Sequence, residues 1–118
     1  VYAATEDDAL RLVRQTNRKN VGLNFNLYHS PRRQDIQAME KFLAEALPHL
    51  RCVTINGLDK GRIVPLDQGQ EFALANFLAM LQRVGYRGPI GLKGYGIGGA
   101  SRDHLARSMK VWRQALKN

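Results

Sequence analysis

The chain has 118 residues, 44% of them hydrophobic, with 18 Lys and Arg against 10 Asp and Glu for a net charge of +8. That length and mixture fit one globular domain or part of a larger one, and exclude a disordered or low-complexity chain. The lone cysteine, Cys52, excludes an internal disulfide and any C-x-x-C metal spacing, and points to a reducing, cytoplasmic compartment.

No apolar run is long enough to span a bilayer, and the opening VYAATEDDAL lacks the basic, apolar and small-residue sections of a signal peptide. A membrane partner is therefore not expected. The surplus of positive charge is distributed: Arg11, Arg14, Arg18, Lys41, Arg83, Arg102, Arg107, Lys110, Arg113 and Lys117 fall on several predicted helices. Aromatic residues are sparse and not interleaved with the basic ones, so solvated helix faces are expected rather than a nucleic-acid interface.

In chain order, Thr5 and Asp8 ahead of Ala9, Leu10 and Val13 predict a capped helix ending near Asn20. NVGLNFNLYH, residues 20–29, alternates Val21, Leu23, Phe25 and Leu27 with Gly22, Asn24, Asn26 and Tyr28, which predicts a strand. Ser30 as N-cap and Pro31 in the first turn then open a second helix, with an apolar stripe of Ile36, Met39, Leu43, Leu47 and Leu50. RCVTIN, residues 51–56, is a second strand, and GLDKGRIVPLDQGQ after it reads as a long loop. Leu74, Phe77, Leu81 and Val84 mark a third helix closed by Gly85. PIGLKGYG is a third strand, and Leu105, Met109, Trp112 and Leu116 give the last helix its apolar stripe. His49 and His104 are expected at the surface, and Cys52 in packing.

Three βα units imply parallel strands, so the fold class is α/β with parallel (β/α) repeats. Gly94, Gly96 and Gly99 match the G-x-G-x-x-G spacing of a dinucleotide cradle. Such a cradle belongs to the first βα turn and requires an acidic residue about 20 positions later. Here it is the last βα turn, and no Asp or Glu follows Asp103. The strands decide between an open doubly wound sheet and a barrel. Each is apolar on one parity and polar or glycine on the other, whereas a sheet covered by helices on both faces is apolar on both. The polar residues Asn24, Asn26, Thr54, Asn56 and Lys93 gather toward the strands' C-terminal ends, where barrel active sites lie. Asn26, Asn56 and Lys93 are expected to converge on one pocket. The structural alternative is that the Asn residues only terminate strands and that Lys93 reaches solvent.

The blocks DALRLVRQTNRKNVGLNFNLYH, VTINGLDKG, PLDQG and GYRGPIGLKGYGIGG, followed by HLARSM and a Trp, resemble the C-terminal half of the xylose isomerase-like TIM barrels, the sugar phosphate isomerase/epimerase group. The resemblance implies that residues 1–118 supply barrel strands six to eight of a fold that needs about 250 residues, with the N-terminal half outside this chain. It implies an isomerase or epimerase of carbohydrate metabolism acting by proton transfer next to a carbonyl, on a small sugar or sugar phosphate. The metal-dependent members place an Asp ligand at the Asn26 position, a substrate-contacting His at His29, a His ligand at Asn56, a sugar-holding Arg near Arg62 and a Glu ligand at Lys93. Mn²⁺ or Mg²⁺ is typical of the group, but two amides and an ammonium are poor ligands for it, so the metal is left unassigned. The expected catalytic residues are Lys93 and His29, and the expected substrate-binding residues are Asn26, Asn56, Arg62, Tyr95 and Gly98. His29 also reads as a strand-end hydrogen-bonding residue. The alternative function is a metal-independent sugar-binding or lyase-type relative, and a homo-oligomer is compatible with either.

Overall fold

A computed structural model describes residues 5–69 and 73–117. Helix α1 (Glu6–Thr16) opens on Thr5, whose side chain accepts from the Asp8 N–H at 3.1 Å, and carries Glu6, Asp7 and Asp8 in its first turn. Acidic residues there complement the helix's positive end. Asn17, in the left-handed region at φ 49°, ends the helix three residues before the expected stop.

Strand β1 (Leu23–Asn26) is shorter than the predicted 20–29, because the chain turns into a 3-10 turn at Leu27–His29. Asn26 causes the break: its side-chain oxygen accepts from the His29 N–H at 3.0 Å. Leu27 and Tyr28 are then both buried, which strand alternation forbids. Helix α2 (Ile36–Ala46) starts at Asp35, whose side chain accepts from the Ala38 N–H, and not at Ser30. The Ser30 hydroxyl instead accepts from the Arg32 N–H and holds a turn. Pro48 lies in a second 3-10 turn that stops the helix, so Leu50 opens strand β2 (Leu50–Ile55) instead of closing the helical stripe.

The predicted loop after β2 contains a hairpin, β3 (Gly57–Asp59) and β4 (Arg62–Val64). Lys60 and Gly61 connect the two at φ 49° and 76°, the two positive values a primed two-residue turn requires. Gln70, the last residue of that predicted loop, lies outside the described residues. Helix α3 (Leu74–Val84) ends on Gly85 at φ 88°, as its sequence predicted. Strand β5 (Ile90–Leu92) and helix α4 (Ser101–Leu116) complete the chain.

The parallel sheet has the order β1-β2-β5. Phe25, Val53 and Ile90 share a row, and Ile55 pairs with Leu92. Phe25, Val53 and Ile55 belong to the core shared with Met39, Phe42 and Leu43 of α2 and Leu74, Phe77, Met80 and Leu81 of α3. Phe25 stacks on Phe77 at 6.2 Å and meets Phe42 at 6.4 Å. The other row, Asn26–Thr54–Gly91, lies on the opposite face. Three strands with helices on one side and polar residues on the other form an unclosed segment of a (β/α) barrel. Helix α4 departs from its predicted stripe: Ser108 and Ala115 are buried and Val111 and Trp112 pack on the core, while Leu105, Met109 and Leu116 stay exposed at 46%, 42% and 58%.

Candidate functional site

The polar row at the strand tops is bound together by one amide. Asn26 Nδ2 donates to Thr54 O at 3.2 Å, Thr54 Oγ1 at 3.1 Å and Asn56 Oδ1 at 3.0 Å. Its Oδ1 takes the His29 N–H, so one side chain ties β1 to β2 and fixes the turn that presents His29. Asn56 is fully buried, and its Nδ2 donates to Gly57 O at 2.6 Å. It therefore orients Asn26 and the hairpin and opens on neither cleft described below. Lys93 follows β5, with its N–H donating to Ile55 O at 2.9 Å, which sets it beside Asn56 in register.

Two clefts reach this end of the sheet, the smaller one running along it from Leu23 and Leu50, the first residues of β1 and β2. The smaller, of about 560 Å³, includes Asn26, His29, Thr54 and Lys93, with Glu6 of α1 and Phe42 of α2 as further walls. The larger, of about 810 Å³, includes His29, Arg62, Tyr95, Gly98, Asp103 and His104. His29 is the wall they share. The structure thus brings Asn26, His29 and Lys93 to one cleft and Arg62, Tyr95 and Gly98 to its neighbour. The His29 side chain is exposed, yet the desolvation imposed by the cleft walls lowers its pKa below the ordinary 6.5, and the nearby Lys93 and Arg33 charges lower it further. The imidazole is thereby held toward its neutral form.

The hairpin wall of the larger cleft is pinned to α4. Leu66 N–H donates to the buried Ser108 Oγ at 3.2 Å, and Arg107 Nη2 meets Asp67 Oδ2 at 2.7 Å. A Cβ on Gly57 would strike the Pro65 and Gln68 carbonyl oxygens, so glycine is what allows the hairpin to fold back this closely. Gly98, in contrast, has open space where a Cβ would be. His104 differs from its expected surface placement: it is half-buried, and its Nδ1 is buried without a hydrogen-bond partner. It sits in the first turn of α4 facing Gly94. Its position one turn into the helix after the glycine loop was the available signal. Thr54, which the sequence offered only as a strand-end polar residue, holds Asn26.

Among the described residues, no group of three His, Cys, Asp or Glu side chains could hold a metal ion. The strand-top donors do not fit one either: the Asn26 amide is committed to Thr54 and Asn56, and Lys93 brings positive charge. No described helix is long and apolar enough to cross a membrane.

Parallel strands, a one-sided helix layer and polar strand tops define a segment of a (β/α) barrel enzyme fold. The chain belongs to the xylose isomerase-like TIM barrel family, whose model matches residues 1–115. No curated protein sequence matches it. Among solved structures it is similar to a D-allulose 3-epimerase from Methylomonas sp., determined with D-allulose bound, at 24% identity and a TM-score of 0.54. The match covers 94% of this chain and 36% of the epimerase, so this chain spans about a third of that enzyme's length.

Proposed function

We propose that this chain supplies the strand six to eight side of a sugar or sugar phosphate isomerase/epimerase site, with Lys93 and His29 carrying proton transfer next to a carbonyl. The observation that carries this reading is the placement of His29 and Lys93 on one cleft at the tops of parallel strands. A neutral imidazole can accept the proton from the carbon beside the carbonyl. As the C–H pair moves into the carbon framework, negative charge develops on the carbonyl oxygen, where the Lys93 ammonium stabilises it. For isomerisation the imidazolium returns the proton to the former carbonyl carbon while the proton of the adjacent hydroxyl passes to the enolate oxygen, and His29 ends neutral; for epimerisation an acid on the opposite face, from the rest of the barrel, protonates the carbon and His29 gives up its proton to solvent. Asn26, held by Asn56, serves sugar hydroxyls. Arg62, Tyr95 and the open backbone at Gly98 serve the distal end, a phosphate included.

The test is solvent exchange in the full-length protein. Sugars and sugar monophosphates incubated in D₂O should gain deuterium beside the carbonyl, and His29→Asn or Lys93→Met should slow this by about 10²–10⁴-fold. Gly98→Val, whose Cβ would meet no neighbour, should weaken sugar monophosphates more than free sugars. The metal-independent sugar-binding or lyase-type reading is favoured by the donor set at the strand tops. Sugar binding without exchange, or loss of water from the sugar, would select it.

A further inference from the structure

Among the elements that wall the smaller cleft, α1, the turn at His29 and α2 are joined by one side chain outside it. Arg32 Nη1 meets Glu6 Oε2 at 2.6 Å and Nη2 meets Asp7 Oδ2 at 2.7 Å, both in the first turn of α1. Its guanidinium carbon lies 4.7 Å from the centre of the Phe42 ring, on α2. Its own backbone N–H donates to Ser30 Oγ, and Ser30 is buried directly after His29. Glu6 and Phe42 line the cleft with His29. The Arg32 side chain is 24% exposed and that of Glu6 15%, which separates this cluster from a surface ion pair of negligible strength. A planar fork that binds two carboxylates and stacks on a ring cannot be reproduced by an ammonium.

The structure assigns Arg32 as a positioning residue. It fastens the turn that presents His29 to both α1 and α2, and it neutralises Glu6, which otherwise turns an unpaired carboxylate toward the cleft holding His29 and Lys93. The catalytic consequence rests on the reading proposed above, whereas the fastening itself does not. Without Arg32 the turn loses this tie to α1, and Glu6 brings an unpaired carboxylate to the cleft that holds His29 and Lys93.

The experiment uses the full-length protein without sugar, so its outcome is independent of the turnover reading. Hydrogen exchange across residues 27–35 should accelerate about tenfold or more in Arg32→Ala while β2 keeps its protection. Arg32→Lys, which keeps the charge but not the fork, should fall between the two. In the same Arg32→Ala protein the His29 imidazole midpoint, followed by NMR with Lys93, Arg33 and Glu6 as its charged neighbours, should rise. Adding Glu6→Gln should reverse part of that rise. Unchanged exchange in residues 27–35, exchange that rises equally in β2 for both Arg32 variants, or a His29 midpoint indifferent to Glu6 in the Arg32→Ala background would overturn the assignment.

Discussion

At the scale of single residues, a depressed His29 pKa has consequences for both stability and titration. The folded chain binds this proton less readily than the unfolded chain, so the linked contribution is fully present at pH above 6.5 and is lost as pH falls from there through the lower folded-state pKa. Replacing Lys93 by Met removes one of the two lowering charges but not the burial, so the His29 midpoint should rise only part of the way to 6.5. An NMR titration in which Lys93→Met leaves the midpoint unmoved would show that the two do not share a field. The strand-top positions of Asn26 and Lys93 were legible because strand parity and the C-terminal end of each strand can be read from alternation, whereas His29, in a turn beyond β1, was singled out by the family resemblance. The role of Asn56 was not legible. An amide at a strand end suits a sugar hydroxyl or a neighbouring amide equally, and only the register of β1 against β2 selects the second.

Among the elements, the hairpin and α4 show where sequence patterning falls short. GLDKGRIV carries a three-residue strand on each side of Lys-Gly, too short for alternation to stand out, although the turn residues themselves were a signal. In α4 the large apolar residues gave the more obvious stripe, but the face set against its neighbours holds Ser108, Val111, Trp112 and Ala115, where small side chains allow close approach. Ser108→Ala should remove its hydrogen bond with the Leu66 N–H and cost about 1–1.5 kcal/mol in a urea melt. Arg107→Ala, which removes a half-exposed pair with Asp67, should cost less than about 1 kcal/mol. If the two losses prove equal, the hairpin is held by charge instead of by the buried hydroxyl. Phe77→Ala, at the stack on Phe25, should cost about 3–5 kcal/mol by the same measurement.

For the molecule as a whole, the described sheet has two free edges, β1 and β5, and its polar face is partly uncovered, with Asn24 exposed and Asn26 and Thr54 half-buried. Exposed Leu12 on α1 and Leu105, Met109 and Leu116 on α4 add apolar surface at the flanks. Residues 1–118 expressed alone should therefore associate or melt with low cooperativity, and a monomeric, cooperative thermal transition would contradict this. The strand order has one more consequence. β1, β2 and β5 are neighbours in the order in which the chain makes them, with the helix layer on one side throughout. An open α/β sheet binds its ligand where strand order reverses, and the described strands contain no such switch point. Each βα unit instead delivers one strand end to a shared rim. The side chain at 93 can therefore be exchanged without disturbing the apolar face beneath, whereas those at 26 and 56 also tie β1 to β2 and to the hairpin, so chemistry at the rim and stability are separately adjustable at β5 and coupled at β1 and β2.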